Sequence, residues 1–467
     1  MRSKSLRLWM IGLWGMTLWA CSPKTDCIKL TPTSRGCSSP KWFAEPPPAA
    51  QVSQETSSSW TLPTSERMVP GYATLRETIW MVARPPHGQY DHIALHRITQ
   101  AAEGNGSLTR PVFLFLPGPH LHGETIIPDE RYDLRLYLAN RGVETWTLDY
   151  RMHFIPREQI YDSVFMQPWT TEAFVEDVAA AARFVQETSR AQKIFAGGFG
   201  RGVTFAYLYA ARHWRDDLLG LVILDGYALD PPDAFPLYVE RSPTPNWFAD
   251  DLEARLPYKR WMKILQDVID DPSGPDFFPQ VVAPVNKTGP DGLPVEPMFN
   301  SRAEALAYFL SVGTNFLFVS PDLGGRGGLS NAKEGYADVS ILARILLHQD
   351  RYWPRVQNHG GFELHRHLAE AAFDYETALH EMKVPILAFA NGNVGPEWEE
   401  QVEYSARATA AQDVEHQVLH HWGHLDVLFG ARAAQEVFQP IVGWIFRHGF
   451  SSQKRIVSNE TSSAGLR

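Results

Sequence analysis

Apolar strand-like runs alternate with amphipathic helical segments through much of this 467-residue chain, and this alternation restricts the fold more than any other feature. Residues 111–116 form an almost continuously apolar run, as expected for a strand that helices cover on both faces. Further strands are predicted at residues 144–149, 193–198 and 220–225. The intervening segments repeat their apolar residues at helical spacing; they are residues 132–140, 172–188 and 203–213. Strands joined in succession by helices predict a doubly wound, mostly parallel sheet of the α/β class.

A long segment, residues 226–383, interrupts the alternation and is rich in Pro, Trp and Gly. The pattern then resumes with two predicted strands and a final helical segment, at 384–390, 415–419 and 431–447. Residues 67–225 and 384–450 are therefore predicted to form the core, and residues 226–383 a large cap insertion. Helical pieces of the cap are expected near 248–270, 302–312 and 336–350, and an antiparallel hairpin of the core near 75–82 and 92–99.

The first 20 residues have the composition of an export signal, with Arg2, Lys4 and Arg7 before an apolar run that ends at Ala20. Cys21 completes the string Leu-Trp-Ala-Cys, which resembles the lipobox of bacterial lipoproteins. The resemblance implies cleavage before Cys21 and lipidation of its thiol, and the serine that follows favours the outer membrane in that family. A plain secretory signal followed by a chance cysteine is the alternative.

Residues 38–66 are rich in Ser, Pro, Thr and Gln, and residues 21–66 are predicted to form the lipidated cysteine and a flexible tether to the core. Cys27 and Cys37 in this segment are compatible with a small disulfide loop or with two free thiols. Residues 451–467 predict a disordered polar tail. All three cysteines lie in the first 37 residues, so the sequence predicts no thiol chemistry and no cysteine-based metal site in the core.

A strand, a sharp turn of small residues and a helix are predicted around Gly198-Phe199-Gly200-Arg201-Gly202. This segment resembles the nucleophile elbow of the α/β-hydrolase fold. Far downstream, the string Gly-His-Leu-Asp around His424 resembles the loop that carries the catalytic histidine in that fold, especially in acid lipases and related esterases. The resemblance covers residues 75–225 and 384–447 and implies that His424 is the base.

The nucleophile position of the elbow is occupied by Gly200, which has no side-chain oxygen to attack an acyl carbon. The resulting Gly-x-Gly-x-Gly motif is not the fingerprint of a dinucleotide-binding fold, because it follows the third predicted strand of the parallel sheet rather than the first. Gly200 also suits the left-handed backbone that an elbow requires, so the shape of the turn is expected to persist without the nucleophile.

The acid that would orient the histidine has several candidates. Depending on the alignment, the position used by similar lipases falls on Asn393 or Val394, and neither is a carboxylate. Asn393 could orient an imidazole only by a hydrogen bond. Asp225, at the end of the preceding strand, is an alternative acid, and Glu397 is a weaker one.

The oxyanion hole is expected from the backbone N–H of Arg201 and from the loop at Gly118, by the same resemblance. If Gly118 follows the family's His-Gly pattern, the donating residue becomes Pro119, which has no N–H. A register shifted to His122-Gly123 would restore a donor.

Two further motifs receive ordinary interpretations. His420, His421 and His424 lack the helical pairing with a general-base Glu that would indicate a zinc enzyme, so no metal and no cofactor are predicted. Ser330 lies in a small-x-Ser-x-small string, but the strand-like run before it ends near Val319, and a loop residue or helix cap is expected.

These observations predict a lipid-anchored envelope protein with a degenerate hydrolase site, which binds a hydrophobic or acyl ligand or a partner under the cap. The alternative is an active esterase in which His424 activates a water molecule. The formal net charge of −10 argues against a nucleic-acid partner.

Overall fold

The computed structural model describes thirteen stretches of the chain, and all of them lie in one compact unit, residues 59–467. They are residues 60, 62–101, 110–118, 121–156, 164–166, 168–229, 231, 258–277, 299–312, 338–350, 373–392, 396–420 and 422–449. The predictions for Cys21, the disulfide loop, Asn393, Ser330 and the tail concern residues outside these stretches.

Nine strands form one sheet in the order β1-β2-β3-β5-β4-β6-β7-β8-β9. They are β1 (Ser65–Met68), β2 (Leu75–Ala83), β3 (His92–Gln100), β4 (Val112–Leu116), β5 (Glu144–Asp149), β6 (Ile194–Phe199), β7 (Leu218–Leu224), β8 (Ile386–Asn391) and β9 (Val414–Leu419). The first three strands pair antiparallel, and β3 pairs antiparallel with β5. The other six are parallel to one another. The predicted mostly parallel α/β sheet and its antiparallel hairpin are therefore confirmed.

Helices cover both faces of this sheet. They are α1 (Leu134–Asn140), α2 (Thr171–Ser189), α3 (Arg201–Asp217), α4 (Tyr258–Asp270), α5 (Arg302–Val312), α6 (Val339–His348), α7 (Tyr375–Glu381), α8 (Pro396–Arg407), α9 (Asp426–Phe429) and α10 (433–449). Successive residues of β4 show why both faces are apolar: Leu114 packs into the layer of α2, α3, α7 and α8. Its neighbours Phe113 and Phe115 pack into the layer of α1, α9, α10 and the cap helices α4–α6.

Residues at two predicted boundaries contact the core. Trp60, in the predicted tether, stacks on Phe184 with ring centroids 4.5 Å apart, and β1 begins at Ser65. The helix α7, at the end of the predicted cap, packs on α3, and the Tyr375 hydroxyl donates to Glu172 at 2.8 Å.

A buried ionic cluster joins the β2–β3 hairpin to α2. Arg151 donates to Asp177 at 2.6 Å and 2.8 Å and to Asp91 at 2.7 Å. Arg84 donates to the same Asp177 carboxylate at 2.9 Å. Because each charge is at most 4% exposed and has opposite partners, the cluster fixes the hairpin's position on the sheet.

No helix in the described stretches is both long and apolar enough to cross a membrane.

Candidate active site

The turn between β6 and α3 has the backbone of an elbow. Gly200, at its tip, has φ 55° and ψ −121°, and its N–H donates to the Leu224 carbonyl at 3.1 Å. Two residues later, a Cβ on Gly202 would lie 2.0 Å from the carbonyl oxygen of Leu116. The start of α3 therefore touches the end of β4, which requires glycine at 202. The positive φ at 200 favours glycine without excluding a larger residue.

His424 and Asp225 form a short hydrogen bond near this turn. Asp225 follows β7, is fully buried, and accepts from His424 Nδ1 at 2.5 Å. The same carboxylate accepts from the backbone N–H of Asn391 at 2.7 Å and from Trp398 Nε1 at 3.0 Å. Because the carboxylate accepts at Nδ1, the neutral imidazole carries its lone pair on Nε2.

The imidazole of His424 faces Gly200 at the tip of the turn. A Cβ built on Gly200 would lie 3.0 Å from Nε2 and 3.4 Å from Cε1 of His424. Phe199 packs on the imidazole with centroids 4.5 Å apart, and Trp398 meets it edge-on at 5.8 Å. The His424 side chain is 12% exposed, so Nε2 lies in a partly closed, aromatic environment.

The loop that carries His424 is held by a side chain that sequence reasoning did not single out. Asn391 Nδ2 donates to the carbonyl of Gly423 at 2.8 Å and to that of His424 at 3.1 Å. The Gly423 N–H donates in turn to Asp426 at 2.8 Å. Asn391 lies two residues before Asn393, so the segment considered for the acid instead contributes a side chain that supports the His424 loop.

Among the candidates for the orienting residue that the structure describes, Asp225 is the one in contact with His424. Glu397 is exposed in the first turn of α8, and Asn393 lies outside the described residues. The topology explains the pairing, because β7 and β8 are neighbours and their carboxyl ends meet beside the loop after β9.

The predicted oxyanion residues flank the turn. Arg201 is the first residue of α3, and a Cβ on Gly118 would lie 3.1 Å from the Phe199 ring. Pro119 lies outside the described residues. In the shifted register, the Gly123 N–H donates to the buried Asp149 carboxylate instead of pointing at the turn. Gly118 thus lies beside the elbow, whereas the Gly123 donor is already used.

A second buried group of titratable side chains lies behind the loop after β4. His96 is bound on one side by Glu77, at 3.0 Å, and on the other by Asp149, at 2.8 Å. Burial lowers the pKa of His96, but the charges and hydrogen bonds of these carboxylates outweigh it and raise the pKa to about 9. The positive charge of His96 also helps to hold the pKa of Asp149 well below its usual range, against the effect of burial.

The sequence matches no protein-family model and no curated protein. The structure is similar to that of a candidate lipase from Sulfolobus solfataricus, with a TM-score of 0.60 and 24% identity over 82% of this chain and 97% of that one. An α/β-hydrolase fold protein from Nakamurella multipartita matches with a TM-score of 0.44 and 13% identity over 77% of this chain and 97% of that one. The chain has the α/β-hydrolase fold.

Proposed function

We propose that this protein is a lipid-anchored protein of the bacterial outer membrane that binds an acyl or ester ligand beside Gly200 and His424 without forming a covalent intermediate. The lipobox at Cys21 supports the anchor. The observation that carries the binding function is the elbow itself: its tip has the required conformation, and residue 200 has no atom that could hold an acyl group.

The surroundings of His424 suit the recognition of a carbonyl group attached to an apolar chain. Phe199 and Trp398 pack against the imidazole, and Tyr227 packs edge-on against Trp398 at 5.1 Å. Aromatic walls favour an acyl chain, and a few polar groups in such a pocket fix its orientation. Nε2 of His424 is the polar atom of this aromatic environment that faces Gly200.

A second function is favoured by one contact, the 2.5 Å hydrogen bond between His424 and Asp225. A buried carboxylate at Nδ1 is the partner that supports an imidazole as a general base. With water bound near Gly200, His424 would remove its proton while the water attacks an ester, and no acyl-enzyme would form.

Turnover by the wild type and by His424→Ala separates these two functions. For a binding protein, hydrolysis of p-nitrophenyl butyrate by the wild type stays within about tenfold of that by His424→Ala, since a working general base contributes about 10²–10⁴-fold. Calorimetry with octanoate should detect saturable binding by the wild type. The matched control is His420→Ala, which removes an exposed imidazole from the same segment.

Two results would change the conclusion. A wild type without a burst that loses about a hundredfold in rate on His424→Ala would establish the water route. If the wild type does not bind octanoate and hydrolyses the ester no faster than His424→Ala does, both functions are refuted.

A further inference from the structure

Three side chains from separate segments converge where the cap meets the core. His122 lies in the loop after β4, His153 in the 3₁₀ helix Arg151–Phe154 after β5, and Asp350 two residues beyond α6. One donor atom from each lies within 4.8 Å of the other two. His153 Nδ1 is 3.0 Å from Asp350 Oδ1, and the two imidazole centroids are 4.7 Å apart. Two imidazoles and one carboxylate form a donor set suited to zinc.

His122 is held in the state that metal binding requires. Its Nε2 donates to the carbonyl of His348 at 2.8 Å, which leaves the lone pair on Nδ1. The backbone N–H of Glu124 donates to this lone pair at a long 3.2 Å. Metal-bound imidazoles usually donate their second nitrogen to a carbonyl or carboxylate, so the bond to His348 already supplies that outer contact. The His122 side chain is 1% exposed, and packing fixes its orientation.

Both ring nitrogens of His153 face carboxylates. Its Nδ1 faces Asp350, while its Nε2 lies 3.8 Å from the buried Asp149 carboxylate. The His153 side chain is 20% exposed and that of Asp350 is 10% exposed, so an ion can enter from solvent. Glu124 Oε2, on a half-exposed side chain, lies 3.9 Å from His122 Nδ1 and is within reach as a further ligand.

We propose that His122, His153 and Asp350 bind one divalent ion of the zinc class, with Glu124 or a water molecule as the fourth ligand. Tetrahedral zinc with bonds of about 2.0–2.1 Å holds its donors about 3.4 Å apart. The donors now lie up to 4.8 Å apart, so in this proposal the more exposed side chains of His153 and Asp350 rotate toward His122 when the ion binds. The bound ion joins the cap to the loops after β4 and β5 and stabilises that junction. The ligands do not include Asp225 or His424, so this site does not depend on the proposed function.

The test is metal binding by the purified full-length protein after treatment with EDTA. One equivalent of Co²⁺ should give the intense visible absorption of a tetrahedral site, Zn²⁺ should displace it, and Zn²⁺ should raise the Tm. His122→Asn and Asp350→Asn should each weaken Zn²⁺ binding by at least about 100-fold, because each removes a direct ligand. X-ray absorption of the zinc-loaded wild type should show two imidazoles, a readout that needs no variant.

The matched control is Asp413→Asn, which alters a second, more exposed group of possible ligands formed by Asp413, Glu415 and His448. This variant should bind Zn²⁺ as the wild type does. The proposal is overturned if the wild type binds no stoichiometric metal, if the loss occurs in Asp413→Asn instead of Asp350→Asn, or if the zinc is surrounded by oxygen alone.

Discussion

A hydroxyl at position 200 tests directly whether His424 and Asp225 are poised for acyl transfer. Gly200→Ser places a side chain at φ 55° and ψ −121°, a conformation that costs a non-glycine residue about 1–3 kcal/mol. Its Cβ would lie 3.0 Å from His424 Nε2, so the imidazole must retreat by a few tenths of an ångström. We therefore expect a folded but less stable variant, whose new oxygen lies within hydrogen-bond reach of Nε2.

The expected gain follows from the geometry of the pair. Asp225 already accepts from Nδ1, so Nε2 is available to take the serine proton, a contribution of about 10²–10⁴-fold. Gly200→Ser should hydrolyse p-nitrophenyl butyrate at least about 100-fold faster than the wild type. It should also release a burst of one p-nitrophenol per protein, and a fluorophosphonate should label residue 200.

The matched control is Gly200→Ala, which has the same backbone strain and the same Cβ contact but no oxygen. Its thermal stability should resemble that of Gly200→Ser, and its turnover should resemble that of the wild type. Adding Asp225→Asn to Gly200→Ser should remove most of the gain, because triad members act as a unit. A stable Gly200→Ser protein with neither burst nor labelling would refute the inference that the short contact between Asp225 and His424 prepares the imidazole for catalysis.

Four further outcomes follow from residues described above. Asp177→Ala leaves two buried arginines without their shared carboxylate and should lower the free energy of unfolding by about 3–5 kcal/mol, measured by urea titration. A loss below about 1 kcal/mol would show that the cluster does not hold the hairpin on the sheet. Gly202→Ala puts a Cβ 2.0 Å from a backbone oxygen and should prevent folding, as judged by circular dichroism of the expressed protein. Because folding raises the pKa of His96 from 6.5 to about 9, its stabilising contribution is complete below pH 6.5 and is lost as the pH rises through 9; His96→Gln should flatten this pH dependence of the unfolding free energy. Cys21→Ser should move the protein from the membrane to the soluble envelope fraction, and unchanged fractionation would exclude the lipid anchor.

The sheet could be predicted from sequence because strands and helices alternate along the chain, and because a central strand such as β4 is buried on both faces and has a continuously apolar sequence. β5 was predicted at its observed bounds, and the predicted end of α2 lies one residue from the observed one. β1 was missed because all four of its residues are exposed, so it has no apolar pattern. Trp60 was assigned to the tether because its neighbours are polar, although its own ring is stacked on Phe184.

The candidate site could be predicted where local sequence determines local geometry, as at Gly200 and His424. The pairing of His424 with Asp225 could not be chosen from sequence, since the two residues are 199 positions apart and meet through the strand order. The cluster of His122, His153 and Asp350 could not be predicted either. His122 and Asp350 are 228 positions apart in sequence and belong to no shared motif, so they meet only through the packing of the cap on the core.

The long insertion between β7 and β8 has a consequence for the order in which the molecule folds. Asp225 and Asn391 are joined by a hydrogen bond although 166 positions separate them. Compared with a 20-residue crossover, closing this loop costs about 2 kcal/mol more in chain entropy, since each doubling of length adds about 0.6 kcal/mol. The outer edge of β7 therefore stays unpaired until the whole cap has been synthesised, and an unpaired apolar edge is where intermediates associate. Shortening the cap should thus speed refolding and reduce aggregation during it more than it changes the stability of the finished sheet.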